Sequence, residues 1–292
     1  MTYEKQIQEI RDCCKKLFDE NKVDVILGYS KRPTVDIGGT GDLEGLLIPF
    51  FARKPEDIEK LEWGNRCWQN LAAYLHGRKD RIGIVAKPCD VRGIVQYMLE
   101  GQLNRDQVYI IGVDCGGMID AEGNPRPGCD ECRVRVPPVF DTHVTDDRVF
   151  QIERNKTESI KKNEQNQQRF QQEIDKCILC YSCRQACYGC YCQTCFVERG
   201  TPNWLPAEMD SATKKTFHLG RAMHLAGRCI ECGGCEAACA SGVDLRYIIK
   251  ELTDFVEDNY DFRAGMDLSC KSPLVNYSDD DKEIGFLGGD EV

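Results

Sequence analysis

The second half of the chain contains one cysteine pattern twice, as Cys177-Ile-Leu-Cys180-Tyr-Ser-Cys183-Arg-Gln-Ala-Cys187 and as Cys229-Ile-Glu-Cys232-Gly-Gly-Cys235-Glu-Ala-Ala-Cys239. In both stretches two, two and three residues separate successive cysteines. Three thiolates on such a tight loop can bind three irons of one four-iron cluster, and the fourth, at the start of the next helix, reaches a second cluster. The doubled pattern therefore predicts two [4Fe–4S] clusters that share their ligand loops.

Because the fourth cysteine of each pattern is expected to bind the other cluster, each predicted site combines three cysteines of one pattern with one cysteine of the other. The first ferredoxin site consists of Cys177, Cys180, Cys183 and Cys239, and the second ferredoxin site consists of Cys229, Cys232, Cys235 and Cys187. Gly233 and Gly234 let backbone amides approach the sulfurs, which stabilises the charge added on reduction. The alternative is a pair of structural zinc sites, although zinc favours separated pairs over four cysteines in one run. Tyr188 and Ala240 replace the usual proline, which is not a ligand.

Three further cysteines follow the first pattern: Cys190, Cys192 and Cys195, in Cys190-Tyr-Cys192-Gln-Thr-Cys195. Three thiols so close together could supply most of an extra metal site, completed by a distant cysteine. The distant candidates are Cys13, Cys14, Cys67 and Cys270. The alternative is that the three are packed thiols beside a cluster, because free cysteine buries readily. The sequence leaves both interpretations open.

Composition and charge describe the chain that carries these motifs. It has 292 residues, of which 41% are hydrophobic, enough for a real core. The net charge of −10 argues against a nucleic-acid partner, because phosphate binding needs a cationic face. Nineteen cysteines without an apolar signal segment indicate metal binding in the cytoplasm rather than secreted disulfides. The apolar runs, such as Leu46–Ala52, are too short to span a membrane.

The first 140 residues alternate helical and strand-like patterns. Short apolar runs predict strands, and helical periodicity predicts helices. The strands are expected at Val23–Leu27, Ile82–Ala86 and Val108–Val113, and the helices at 7–18, Glu56–Leu75 and Val91–Leu99. This alternation predicts an α/β domain with a parallel sheet. Functional loops of such sheets lie at the carboxyl ends of the strands, where Cys89 and Cys115 fall.

Changes in composition divide the rest of the chain. The predicted parts are an α/β domain at 1–140, a polar helical connector at 141–176, an α-rich dicluster ferredoxin domain at 177–260 and an acidic tail at 261–292. Between the cysteine patterns a helix is expected at Ser211–Arg228. Another follows Asp244, which can cap it, with an apolar stripe that includes Leu245, Ile249 and Val256.

The four remaining clustered cysteines form what we term the N-terminal site: Cys89, Cys115, Cys129 and Cys132. Their spacing alone does not distinguish a site from structural cysteines. The surrounding sequence, however, resembles the family of coenzyme F420-reducing hydrogenase and formate dehydrogenase beta subunits. The resemblance is carried by Lys87-Pro88-Cys89-Asp90, by Tyr109-Ile-Ile-Gly-Val-Asp-Cys115-Gly116 and by Cys129-Asp-Glu-Cys132. It implies that the four cysteines hold a third [4Fe–4S] cluster, beside a flavin.

The whole arrangement resembles the short bacterial relatives of that beta subunit, which accompany heterodisulfide-reductase-like proteins. Two family segments have no counterpart here: a glycine-rich opening before Val23, and a long stretch after Cys132 that helps hold flavin and F420. The resemblance therefore leaves FAD open as a cofactor and argues against F420. The glycine-rich stretch Asp36–Asp42 could cradle a phosphate, but a simple turn is the commoner role of such a sequence.

Together these patterns predict an iron–sulfur electron-transfer subunit of a larger oxidoreductase. Its expected partners are heterodisulfide-reductase-like, formate dehydrogenase or hydrogenase proteins. No catalytic residue is assigned, because no nucleophile–base, Walker or acid-pair motif stands out and the four histidines show no pairing. One alternative is a flavin-containing catalytic subunit that converts a two-electron donor into single electrons. Another alternative is a zinc-bound structural scaffold.

Overall fold

A computed structural model of the chain describes residues 3–32, 45–120, 122–151, 164–201, 205 and 208–276. The stretch Asp36–Asp42 and the acidic end of the predicted tail lie outside the described residues. Six strands of the described chain form one sheet. They are β1 (Val25–Lys31), β2 (Leu47–Ala52), β3 (Leu61–Glu62), β4 (Ile82–Ala86), β5 (Val108–Val113) and β6 (Thr142–Val144).

The sheet is mixed but mostly parallel. Its order is β2-β1-β4-β5-β6, and β3 also pairs with β1. Strands β1, β4, β5 and β6 run parallel, whereas β2 and β3 are antiparallel to β1. This confirms the predicted α/β class. Strands β4 and β5 coincide with the predicted residues because each is a short apolar run between polar segments.

The helix predicted at Glu56–Leu75 is wrong. The segment instead contains a 3-10 helix at Pro55–Lys60, then β3, and a second 3-10 helix at Leu71–Tyr74. Pairing of β3 with β1 replaces helical hydrogen bonds in the middle of the segment. The carbonyl of Gln69 accepts a hydrogen bond from the buried ammonium of Lys87 at 2.9 Å, which holds this stretch extended against the sheet.

Helices cover the sheet and make up much of the chain from residue 164 onward, which we term the ferredoxin half after the predicted dicluster module. They are α1 (Glu4–Asp19), α2 (Pro88–Leu99), α3 (Glu164–Asp175), α4 (Ser182–Gln185), α5 (Ser211–Leu225), α6 (Gly234–Ala237) and α7 (Leu245–Tyr260). The Asp244 carboxylate accepts a hydrogen bond from the N–H of Tyr247 at 3.0 Å and so caps α7, as predicted. Within the described ranges, no helix is both long and apolar enough to span a bilayer.

The core of the sheet extends into the ferredoxin half. Tyr188, Ile230 and Phe262 belong to the same buried cluster as the strands and α2. The Tyr97 hydroxyl of α2 donates a hydrogen bond to the carbonyl of Tyr188 at 2.5 Å. A second buried cluster joins α3, α5 and α7 around the first ferredoxin site. The domain boundaries stay a prediction, but this packing couples the two halves.

Candidate metal centres

The two ferredoxin loops share one backbone conformation. Leu179 and Tyr181 have φ values of 52° and 60°, and the equivalent Glu231 and Gly233 have 58° and 70°. Residues other than glycine rarely adopt this left-handed conformation. Its recurrence at matched positions indicates that the repeated spacing folds the same way twice. Each loop then leads into a four-residue helix, α4 or α6, that carries the third cysteine.

Backbone N–H groups are aimed at sulfur in all three sites. The first cysteine of each ferredoxin loop, Cys177 or Cys229, accepts a hydrogen bond from the N–H two residues later, at 3.3 and 3.4 Å. In the N-terminal site, Cys115 accepts the same kind of bond from Gly117 at 3.4 Å. Donors of this kind stabilise negative charge on sulfur and tune the potential of a bound cluster. They fit thiolates that act as iron ligands.

The thiols of the first ferredoxin site lie within electrostatic reach of one another. Burial raises the pKa of Cys177 and Cys183, and the charge of Cys239 raises both further. Cys239 belongs to the other repeat, so the structure brings together thiols from both patterns. Cys180 is exposed, and a hydrogen bond with the Ser182 hydroxyl lowers its pKa. One edge of this site therefore faces solvent.

The second ferredoxin site differs in that all four of its thiols are partly buried and none is exposed. Burial, reinforced by the charge of Cys187, raises the pKa of Cys229 to about 11 and that of Cys232 to about 12. Burial also raises the pKa of Cys235. A hydrogen bond from the Cys190 thiol lowers the pKa of Cys187 to about 6. Most of these thiols hold their protons in the metal-free chain, so iron binding must displace protons.

The N-terminal site is assembled from the ends of β4 and β5 and the loop after β5. Burial raises the pKa of Cys115 to about 12, and the charge of Cys129 adds to the rise. Burial raises the pKa of Cys129 as well, and the charge of Cys132 adds to that rise. Burial and the Asp90 carboxylate raise the pKa of Cys89, and Cys115 contributes as well. The four thiols are thus linked as electrostatic neighbours.

A buried ion pair supports the loop that carries Cys89. The side chains of Lys87 and Asp90 are 2% and 0% exposed, and the ammonium lies 2.9 Å from the carboxylate. Asp90 also accepts hydrogen bonds from the N–H groups of Leu71 and Lys87, both at 2.9 Å. The pair fixes the start of α2 and therefore the position of the neighbouring thiol.

The N-terminal site lies against the second ferredoxin site. The charge of Cys232 acts on Cys89 across the two halves of the chain. A Cβ placed on Gly233 would lie 1.8 Å from the carbonyl oxygen of Pro127, so the two ligand loops are in backbone contact. The two ferredoxin sites are joined through α4, which carries a ligand of one and leads to a ligand of the other. The three sites follow one another in the order N-terminal, second ferredoxin, first ferredoxin.

The arrangement of the side chains bears on the kind of metal. Among the described residues, no three His, Cys, Asp or Glu side chains converge closely enough to hold a single ion. A zinc site needs four sulfurs about 2.3 Å from one centre. A four-iron cluster binds each thiolate through a different iron and needs no such convergence. Four-iron clusters rather than zinc stay a prediction from the cysteine spacing.

The surplus thiols line one pocket beside α5 that has about 440 Å³ of empty space: Cys190, Cys192 and Cys195. The Cys190 thiol is hydrogen-bonded to Cys187, whereas Cys192 is exposed to solvent. Of the distant candidates, Cys14 and Cys67 are buried in the core of the sheet and Cys270 is exposed. The extra metal site stays a prediction, and the three thiols do not converge on one ion within the described chain.

Two buried arginines beside the sites are not predicted from the sequence. Arg92 on α2 and Arg221 on α5 are only 3% and 4% exposed. Arginine on an amphipathic helix normally predicts a solvent-facing position. The only sequence signal for Arg92 is its position one helical turn after Cys89. Arg221 has no comparable signal, because the residues that enclose it come from both cysteine loops.

Comparison with known proteins agrees with the family resemblance. No family model matches the chain. The F420-dependent formate dehydrogenase subunit beta of Methanocaldococcus jannaschii is 23% identical, over 90% of this chain and 92% of that protein. The F420-dependent formate dehydrogenase 1 subunit beta of Methanococcus maripaludis is 34% identical over 110 residues, which are 36% of this chain and 26% of that protein. The resemblance to beta subunits is therefore confirmed.

The longer of these alignments spans 365 positions, more than the 292 residues of this chain. The Methanocaldococcus jannaschii protein thus contains segments for which this chain has no counterpart.

Proposed function

We propose that the chain is an iron–sulfur electron-transfer subunit of a multi-subunit oxidoreductase and relays single electrons through three [4Fe–4S] clusters. One observation carries this proposal: the three groups of four cysteines are consecutive neighbours, and the loop of the N-terminal site touches the loop of the second ferredoxin site. Three isolated structural sites would have no reason to adjoin. A relay requires that arrangement, because electrons must pass from one centre to the next.

The residues of the chain have separate tasks in such a relay. Bound clusters supply one-electron redox chemistry. The twelve thiolates hold the iron, and the N–H groups directed at Cys115, Cys177 and Cys229 stabilise negative charge on those sulfurs. Apolar clusters pack against the N-terminal and second ferredoxin sites. Cys115, Cys129 and Cys232 lie in or against the core of the sheet, and the second buried cluster packs against the remaining second-site ligands Cys187, Cys229 and Cys235. The exposed edge at Cys180 gives the first ferredoxin site access to a partner.

The relatives suggest the class of partner. Both are named as beta subunits of F420-dependent formate dehydrogenases, so each belongs to a multi-subunit enzyme. We propose that this chain likewise works beside a formate dehydrogenase, hydrogenase or heterodisulfide-reductase-like protein. On this view the physiological reaction takes place in the partner, and the isolated chain reduces only artificial dyes.

Metal analysis of anaerobically prepared protein tests the proposal. Three four-iron clusters give about 12 iron atoms per chain. A content of about 8 would remove the N-terminal cluster and retain the ferredoxin module. Zinc in place of iron would refute the relay altogether. Electron paramagnetic resonance of the reduced protein provides a second readout, because neighbouring reduced clusters broaden each other's signals.

A second candidate is a flavin-containing subunit that converts a two-electron donor into single electrons. The similarity over 90% of the chain to a subunit of an F420-dependent enzyme favours it. Acid release followed by flavin fluorescence separates the two candidates. One FAD per chain would favour the catalytic subunit, and its absence from freshly isolated protein would favour the relay.

A further inference from the structure

Two buried arginines that lie where neighbouring sites meet, Arg92 and Arg221, form no ion pair with a carboxylate among the described residues. A third buried arginine, Arg135, forms none either, but it donates a hydrogen bond to the carbonyl of Cys129 and lies within the N-terminal site. The Nε and Nη1 atoms of Arg92 donate hydrogen bonds to the carbonyls of Ala264 and Ile230, both at 2.9 Å. Nη2 of Arg221 donates to the carbonyl of Cys183 at 3.2 Å. In each guanidinium a further buried nitrogen has no hydrogen-bond partner: Nη2 of Arg92 and Nε of Arg221. Neutral carbonyls do not balance a full positive charge.

Arg221 lies between the two ferredoxin sites. Its hydrogen bond reaches the backbone of Cys183, a residue of the first ferredoxin site. The strongest charges acting on its guanidinium are those of Cys187 and Cys235, which belong to the second ferredoxin site. Arg221 therefore occupies the junction of these two sites.

Arg92 lies at the other junction. It shares a pocket with Cys132 of the N-terminal site and Cys229 of the second ferredoxin site. The carbonyl to which its Nη1 donates belongs to Ile230, the residue after Cys229. Each of the two contacts between neighbouring sites thus contains one buried arginine.

Two other cations close to the sites are paired with carboxylates. Lys87 pairs with Asp90 at 2.9 Å, and Arg263 pairs with Glu231 at 2.8 Å. Burying a charge is strongly unfavourable unless an opposite charge lies nearby. The Glu231 carboxylate also acts on Arg92, but it is already paired with Arg263. Among the described residues, the groups that can supply an opposite charge at both junctions are the cysteine thiolates and what they bind. Four thiolates give a four-iron cluster a net negative charge, and each added electron increases that charge.

We propose that Arg92 and Arg221 are potential-setting residues, each of which offsets the negative charge of the two clusters beside it and so allows neighbouring clusters to be reduced together. This inference rests on the proposed three-cluster relay. Because screening is weak in a buried site, one positive charge acts on both neighbours. Arg221 should raise the reduction potentials of the two ferredoxin clusters. Arg92 should raise those of the N-terminal and second ferredoxin clusters.

A redox titration followed by electron paramagnetic resonance tests which cluster potentials depend on each arginine. The variants are Arg92→Gln and Arg221→Gln, each with a charge-retaining partner, Arg92→Lys and Arg221→Lys. The control is Arg105→Gln, which removes the same charge from an exposed ion pair at the opposite end of β5. Cys89→Ser assigns the N-terminal signal, since that signal should be missing from it.

Each Gln variant should favour the oxidised form of two clusters at least tenfold, which is about 59 mV for one electron. The reduction potential of the second ferredoxin cluster should fall in both Gln variants. Arg92→Gln should leave the potential of the first ferredoxin cluster unchanged, and Arg221→Gln should leave that of the N-terminal cluster unchanged. The Lys variants should shift less than the Gln variants, and the control should not shift.

Equal shifts in the Gln and Lys variants would overturn the inference, because they would assign the arginines a structural role. Shifts no larger than the control would overturn it as well. If a Gln variant binds less iron, Arg92→Met or Arg221→Met takes its place, because the unbranched methionine side chain fills much of the space of the arginine stem. Failure of the relay itself would look different: the unaltered protein would show no three-cluster signals.

Discussion

Gly233 allows a sharp test of how the N-terminal half meets the ferredoxin half. Its φ of 70° nearly equals the 60° of Tyr181, the residue at the matching position of the other repeat. A tyrosine is accommodated there, so the left-handed backbone alone does not require glycine. The requirement comes from Pro127, whose carbonyl oxygen would lie 1.8 Å from an added Cβ.

The cost of Gly233→Ala has two parts. The left-handed conformation costs a Cβ-bearing residue about 1–2 kcal/mol. Separating two packed backbones costs about 1–3 kcal/mol more, as in other overpacked sites. For a chain of this size each kcal/mol lowers the melting temperature by about 2–4 °C. The variant should therefore melt roughly 10 °C below the unaltered protein.

Gly242→Ala is the matched control. Gly242 has a φ of 61° in the same half of the chain, and an added Cβ would meet nothing within 4 Å. It carries only the conformational cost, so its melting temperature should fall by about 4 °C. The assay is thermal unfolding followed by circular dichroism, under anaerobic conditions and at one scan rate. Equal losses in the two variants would refute the contact between the ligand loops.

Three further perturbations test other parts of the molecule. Asp90→Ala leaves the ammonium of Lys87 buried without its partner, so denaturant unfolding should show a loss of about 3–5 kcal/mol; Glu20→Gln, which breaks an exposed pair, should change little. Cys89→Ser should lower iron by about four atoms and spare the other two cluster signals, because the remaining eight ligands lie on separate loops; complete loss of iron would contradict separate assembly. Burial and the charge of Arg221 lower the pKa of His218 to about 4, below the unfolded value of about 6.5, so stability is lost as the pH falls between these values. The loss from pH 7 to pH 5 should be roughly 2 kcal/mol, and His218→Leu should abolish that part of the pH dependence.

The features that could be predicted from sequence are those that depend on local spacing. Strands β4 and β5 are apolar runs of five and six residues, and the Asp244 cap is read from one residue and the stripe that follows it. The ligand sets of the two ferredoxin sites stay a prediction, drawn from the spacing of cysteines along a tight loop. No long-range information is needed for any of these.

The features that could not be predicted depend on contacts between distant segments. The segment at Glu56–Leu75 has the apolar spacing of a helix, but pairing of β3 with β1 makes it extended. Arg92 is buried because Ala264 and Ile230 close over it, and both lie more than a hundred residues away in sequence. The same limit applies to the contact of Gly233 with Pro127, which no local pattern indicates.

The unequal exposure of the three sites completes the argument for a relay. No thiol of the N-terminal or second ferredoxin site is exposed, whereas Cys180 of the first ferredoxin site is exposed. Ile178, in the same loop, is 55% exposed, an apolar side chain beside an accessible ligand. Non-polar contact at such an edge brings a partner close to the terminal site without water between them. In the proposed relay, one end therefore exchanges electrons at this loop. In the same relay, the second ferredoxin site, which is flanked by both other sites, would pass electrons between its neighbours.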